Sequence, residues 1–217
     1  MSETNILGRM PTGDLRETWK YPHGDPSVSL FTQAVERWGM ALRGGARVLE
    51  LGCCETDFHE WFRRARPDCE LVGVDVNLMS GYQGAFFHQS AESCVFEPGF
   101  FDAVIALGSI EHFGLGFYGD PINDTADMEV VALAERWLRP GGWFYCDVPF
   151  TPGTHYVTEN RHFRVYDDET LQSRLVGGMT RERLAYATGD TDIWHDQRPA
   201  APMVPFWYAI QLARKGV

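Results

Sequence analysis

The segment from Arg47 to Asp75 narrows the folds open to this chain more than any other part of it. Arg47-Val-Leu-Glu-Leu51 is a β-rich run closed by Gly52, residues 57–65 have helical character until Pro67 breaks it, and Leu71-Val-Gly-Val-Asp75 is a second apolar run ending on an acid. Asp75 lies 23 residues after Gly52 (75 − 52), which is the separation of a βαβ unit. Two strands joined by a crossover helix run parallel, and parallel strands have to be covered on both faces. The segment therefore commits its neighbours to a layered α/β domain.

The rest of the chain continues the alternation. Ala85-Phe-Phe-His88 reads as a third strand and Phe101-Asp-Ala-Val-Ile-Ala-Leu107 as a fourth. Residues 127–138 form an amphipathic helix stopped by Pro140-Gly141-Gly142, and residues 143–148 are a fifth strand. Upstream, apolar residues from Val28 to Leu42 follow helical spacing as far as Gly44-Gly45. Downstream, residues 167–175 read as a helix, and residues 181–188 and 206–213 as an antiparallel pair of strands closing the sheet. One domain over residues 1–217 is expected: a helical lead-in (1–45), a ligand-binding core (46–150) and a substrate-side loop with closing strands (151–217).

Nineteen basic against thirty acidic residues give a net charge of -11, so no overall field draws the chain to nucleic acid or to an anionic membrane. No run of eighteen apolar residues and no basic-then-apolar leader is present, and a soluble, cytoplasmic protein is expected. The sequence leaves homo-oligomerisation open. Cys53, Cys54, Cys69, Cys94 and Cys146 lack paired CxxC spacing and read as reduced thiols. His112, Asp120, His155 and His162 have no spaced ligand motif, so no metal is expected.

In an open α/β sheet, ligands settle at the carboxyl ends of the strands, where a glycine turn lets them approach the backbone. An acid at the end of the next strand can accept hydrogen bonds from both hydroxyls of a ribose. The plainer alternative makes Gly52 a simple turn and Asp75 a helix cap. The turn at Gly52 does not read GxGxxG and GxxxxGK(S/T) is absent, which argues against a dinucleotide pyrophosphate at that turn and against a P-loop.

Glu50-Leu-Gly-Cys-Cys-Glu-Thr56 resembles the first motif of the class I S-adenosylmethionine (SAM)-dependent methyltransferases, commonly ELGCGTG, with Cys54 and Thr56 where the second and third glycines would stand. The strands and the Leu138-Arg-Pro-Gly-Gly142 turn follow in the order of that superfamily. The resemblance implies a doubly wound, mostly parallel seven-stranded sheet with an antiparallel C-terminal strand, and SAM as cofactor. It further implies that Glu50 meets the methionine amino group, Asp75 the ribose, and Ser90 and Ala91 the adenine edge. Leu107 would lie beneath the sulfonium, and Gly52, Cys53 and Val76 complete the cofactor set.

Ser109-Ile-Glu-His-Phe-Gly-Leu-Gly-Phe-Tyr-Gly-Asp-Pro-Ile122 follows the fourth strand and should cover the same edge. His112 is the candidate general base, with Glu111 orienting it; alternatively the pair only fixes the loop. Tyr118, Asp120, Arg161 and His162 are candidates for holding the acceptor, arginine because its planar fork suits a carboxylate or phosphate. Arg164 reads as a solvated surface side chain. The stretch Glu111–Ile122, with Arg139–Gly142, Asp147-Val-Pro149 and Asn160–Tyr166, is also similar to an uncharacterised Rossmann-like family over roughly residues 46–185, which implies a fold and no reaction. Ser109–Gly114 alone resembles a loop of fatty-acid cyclopropane synthases, but Tyr118, Asp120 and Asn123 suit a lipid tunnel poorly. The expected function is methyl transfer to an oxygen or nitrogen of a small polar acceptor, such as a sugar or secondary metabolite. The alternative is a non-catalytic binding or scaffold protein on the same fold.

Overall fold

The structure, a computed structural model, describes residues 42–54, 56–188, 194–195, 197–201 and 207–217. The helix expected upstream lies outside these residues except for Leu42, as does Glu55 of the glycine turn.

The strands are β1 (Arg47–Leu51), β2 (Glu70–Asp75), β3 (Ala85–His88), β4 (Phe101–Leu107), β5 (Leu138–Phe150), β6 (Tyr156–Val157), β7 (Arg164–Val165), β8 (Thr180–Thr188), β9 (Trp194–His195) and β10 (Trp207–Arg214). The helices are α1 (Phe58–Ala65), α2 (Ala126–Trp137) and α3 (Asp168–Leu175). Among the described residues the main sheet runs β3-β2-β1-β4-β5-β10-β8-β9, while β6 and β7 form a separate hairpin. Strands β1 to β5 are mutually parallel, and β10 inserts antiparallel between β5 and β8. This is the expected mostly parallel sheet with its antiparallel C-terminal strand, plus the two-residue β9 on its edge.

Alternation along the strands produces two apolar layers. Leu49, Leu51, Val104, Ala106, Phe144 and Cys146 point to one face, where Val130, Val131, Ala134 and Trp137 of α2 and Leu171 and Leu175 of α3 cover them. Val48, Leu71, Ala103, Ile105, Tyr145 and Ile210 point to the other, under Phe58 and Phe62 of α1. Central β4 is buried along its whole length, which explains why its sequence is an apolar run without alternation.

Helix α2 stops at Trp137, and β5 starts at Leu138, earlier than the sequence suggests, because Leu138 already pairs with Phe101. The register then shifts before Ala103 meets Trp143, so Pro140-Gly141-Gly142 forms an irregularity inside the strand rather than a separate turn. Helix α3 opens with a capping box between Asp167 and Thr170. None of the cysteines forms a disulfide, and four of the five are buried. No helix among the described residues is long and apolar enough to cross a membrane.

Candidate active site

The β1–β2 and β1–β4 pairings bring the carboxyl ends of three strands together at the point where the chain reverses its direction of winding. Gly52 adopts φ +68°, and a Cβ there would lie 2.3 Å from Cβ of Ser109, so only glycine allows the β1 turn to pack on the loop after β4. The Ser109 hydroxyl donates to the Leu51 carbonyl at 2.8 Å and seals that contact.

Asp75 ends β2 and is nearly buried. One carboxylate oxygen accepts from the Cys54 N–H at 2.9 Å and the other from the Asn77 N–H at 2.7 Å, so the acid shapes the glycine turn and the loop after β2 together. Each oxygen keeps a further lone pair for a ligand hydroxyl. Val76 is exposed beside it. Ser90 lies half-exposed at the N-cap of a short 3-10 turn, its hydroxyl paired with that of Ser93, and Ala91 is buried behind it.

Glu50 is fully buried in β1, and its carboxyl oxygens take the Thr56 hydroxyl on one side and the Tyr82 hydroxyl at 2.8 Å on the other. Burial pushes its pKa up to about 8 against the lowering effect of those two donors. Thr56, standing where the superfamily motif has a glycine, thus occupies an oxygen of the acid that the resemblance assigns to the cofactor's ammonium. Cys53 is buried against the sheet, its thiol raised by burial, and only 2.9 Å separates its Sγ from where a Cβ on Gly73 would sit.

Leu107 ends β4, and Gly108 follows at φ +53°. A Cβ on Gly108 would meet nothing nearer than an Asp147 carboxyl oxygen at 3.9 Å and a Glu111 carboxyl oxygen at 4.0 Å. This is a cradle over bare backbone, edged by two acids. Asp147 is brought there by the parallel register Leu107↔Asp147 and accepts the Gly108 N–H at 2.6 Å and the Tyr145 hydroxyl at 3.2 Å. Burial raises its pKa to about 8, and burial followed by repulsion from Asp147 raises that of Glu111 well above the usual carboxylate range.

His112 lies on a 3-10 turn just beyond. Its Nδ1 makes a 2.5 Å hydrogen bond to the His162 carbonyl, which can only accept, so Nδ1 carries the proton and Nε2 presents a lone pair. Nε2 is 3.9 Å from Glu111 Oε1. Burial, followed by the neighbouring His162 and Arg164, lowers the pKa to about 4, so the ring is neutral at physiological pH.

Tyr118 and His162 stand around this imidazole at ring-centroid distances of 5.5 and 4.9 Å, and Phe117 stacks on His162 at 4.0 Å. Asp120 acts electrostatically on the same ring. Arg161, in the β6–β7 turn at φ 55°, spends its guanidinium on Asp124 at 2.8 Å and the Leu115 carbonyl at 3.3 Å, so it latches the loop rather than presenting an open fork.

Arg164 corrects the reading of a solvated side chain. It is buried, and its guanidinium donates to the carbonyls of Phe113 at 2.6 Å and Asn123 at 3.4 Å. Three site residues went unread in the sequence. Thr56 shows in the sequence only as a missing glycine, Tyr82 belongs to no motif, and the usable signal for Asp147 is an acid inside the apolar run Trp143–Phe150.

The residues fit the adenosyl and sulfonium parts of SAM: Asp75 retains acceptor capacity, and the Gly108 cradle offers acid oxygens to a cationic sulfur. At the amino-acid end the fit requires the Thr56 hydroxyl to share Glu50 or yield it.

Residues 39–180 match the family described as Caenorhabditis protein of unknown function, DUF268. No curated protein matches the sequence. Among solved structures, the chain is similar to the 4+2 cyclase SpnF, at 18% identity and TM-score 0.65 over 86% of this chain and 80% of that one. It is similar to the Burkholderia thailandensis 1,6-didemethyltoxoflavin-N1-methyltransferase, solved with bound 1,6-didemethyltoxoflavin and S-adenosylhomocysteine, at 17% identity and TM-score 0.61 over 86% of this chain and 77% of that one. A SAM-dependent methyltransferase from Methanosarcina mazei aligns at 12% identity and TM-score 0.56 over 85% and 97%. The fold is that of the class I SAM-dependent methyltransferases.

Proposed function

Because the chain belongs to the DUF268 family of unknown function, its reaction has to be read from its own residues, and we propose that it is a SAM-dependent methyltransferase acting on a small polar acceptor. The observation that carries this reading is the convergence of Asp75, the Gly108 cradle and the neutral His112 imidazole at one sheet edge.

In this reading Asp75 accepts the ribose hydroxyls with Val76 beside it, Ser90 and Ala91 border the adenine, and Gly52 and Cys53 form the turn beneath the amino-acid end. Glu50 would receive the ammonium group, for which the Thr56 hydroxyl shares or yields one carboxyl oxygen. Leu107 and Gly108 would hold the sulfonium end, beside the Glu111 and Asp147 carboxyls. SAM, when bound, supplies a methyl carbon that bonds to the acceptor atom as its bond to sulfur breaks and leaves a neutral thioether.

The protein's part is to align the acceptor and exclude water. His112 Nε2 takes the acceptor's proton, and Glu111 orients the ring. Tyr118, Asp120, Arg161 and His162 border the acceptor, with Arg161 acting through the loop it latches. The soluble, cytoplasmic setting expected from the sequence belongs to the same proposal.

Calorimetry with SAM and with S-adenosylhomocysteine tests the reading. Both should bind, and Asp75→Ala should weaken each by about 1.5–3 kcal/mol, the loss of charged hydrogen bonds. No heat with either ligand in a folded sample would leave the second reading, a non-catalytic module. The feature that favours that reading is the Thr56 hydroxyl already seated on Glu50.

A further inference from the structure

We infer that the acceptor presents a cationic nitrogen, an ammonium or amidinium, to Glu111 and Asp120 beside the His112 ring; this rests on the acceptor site proposed above and narrows its substrate class.

Buried polar atoms in folded proteins are nearly always hydrogen-bonded, because leaving one without a partner is costly. Among the described residues, six buried side-chain atoms have no hydrogen-bond partner, and four of them surround His112: Glu111 Oε2, both carboxylate oxygens of Asp120, and His162 Nδ1. Glu111 is 3% exposed, so its orphaned oxygen cannot be satisfied by bulk water. The concentration of orphans at one place marks a site that a ligand completes.

The chemistry of that ligand follows from what the orphans are. Glu111 and Asp120 offer carboxyl oxygens, and His112 Nε2 offers a lone pair because its other nitrogen is committed to the His162 carbonyl. The site is rich in acceptors and needs a donor. No ion pair of the described residues includes Asp120, and the Arg164 guanidinium, whose charge acts on Glu111, gives its hydrogen bonds to backbone carbonyls and none to either acid. A metal ion would need a tighter cluster, and no group of three potential ligands of that kind exists among the described residues.

A neutral sugar could donate hydroxyls, but it would offer buried Glu111 no counter-charge against which to give up its proton. A cationic nitrogen supplies both donors and charge. The rings of Phe117 and Tyr118 offer π-faces at the same place, and the net charge of -11 favours the approach of a cation. For methylation, an ammonium first gives one proton to His112 Nε2. The freed lone pair then forms the nitrogen–carbon bond as the sulfur–carbon bond breaks, so the positive charge passes from sulfur to the alkylated nitrogen.

Ligand-observed NMR in the presence of S-adenosylhomocysteine, with benzylamine against benzyl alcohol and cyclohexylamine against cyclohexanol, tests this at neutral pH. The amines should bind at least about tenfold more tightly than the alcohols, the ratio of roughly one charge-assisted hydrogen bond. Asp120→Asn and Glu111→Gln should each remove most of that preference. Thermal melting of both variants should be unchanged or raised, because each substitution removes an unpaired buried acid. Equal binding of amine and alcohol, or a preference that survives in both variants, would overturn the inference. A lowered melting temperature with the amine preference intact would likewise do so, by giving the two acids a structural role. Failure of the wild-type protein to bind S-adenosylhomocysteine would instead count against the methyltransferase reading, and the amine titration can be read without that ligand.

Discussion

Thr56 sets the terms on which the β1 turn receives a ligand. Its hydroxyl and that of Tyr82 hold both oxygens of buried Glu50, so an incoming ammonium competes with a side chain already in place. Thr56→Gly should free one oxygen and tighten SAM binding by about tenfold, the worth of one hydrogen bond to a charged group; calorimetry reads this directly, and weaker binding would show that Thr56 helps to hold the cofactor. His112→Ala should lower turnover by roughly 10²- to 10⁴-fold while leaving SAM affinity near normal. With the His112 pKa depressed to about 4, the wild-type acid limb of kcat/KM should fall near that pH instead of near 6.5; undiminished turnover in the variant would reduce the residue to a loop anchor. At this scale the sequence was only partly informative. Gly52, Asp75 and His112 announce themselves by motif and position, whereas Tyr82 reaches Glu50 across 32 residues. Arg164 bonds to backbone carbonyls, partners that no side-chain pattern reveals.

The strands and helices were the most legible level, because short apolar runs bounded by turns and the spacing of Val130, Ala134 and Trp137 are written directly in the residues. What joins the elements was not. The acceptor loop is fixed from below by a charged knot: Asp127 of α2 accepts from Arg174 of α3 at 2.6 and 2.8 Å and from the Tyr166 hydroxyl at 2.9 Å, and Arg164 of β7 lies 3.9 Å away. Asp127 is fully buried, so Asp127→Ala would leave the Arg164 and Arg174 guanidiniums without their anion. Breaking a buried pair from one side costs about 3–5 kcal/mol. Urea unfolding should show that loss, and turnover should fall further than cofactor binding, because the knot supports the loop of His112 and not the turn of Gly52. A loss under about 1 kcal/mol would mean that the arginines find other partners or water.

For the whole molecule, the buried acids of the site make stability depend on pH in an unusual direction. Glu50 and Asp147 have pKa values near 8 in the fold, against 4.5 and 3.8 for exposed groups, and Glu111 is also raised. As pH rises above their unfolded values, the unfolded chain releases these protons while the native state keeps them, so each acid lowers stability until its folded pKa is passed. His112, at about 4 in the fold against 6.5, acts oppositely: between those values the unfolded chain binds its proton more readily, and stability rises with pH. The lowered pKa values of His155 and His162 add to that rise. Below about pH 6.5 the two trends oppose each other. Above pH 6.5 the unfolded histidines finish losing their protons and the acids dominate, at about 1.4 kcal/mol per group per pH unit. The ligand-free protein should therefore lose on the order of 2 kcal/mol between pH 6.5 and 7.5, a drop of several degrees in Tm for a chain of this size. Glu50→Gln and Asp147→Asn should each flatten the decline above pH 6.5. A melting temperature that keeps rising to pH 8 in the wild-type protein would mean that these acids are ionised in the fold, and that the sheet edge carries negative charge before any ligand arrives.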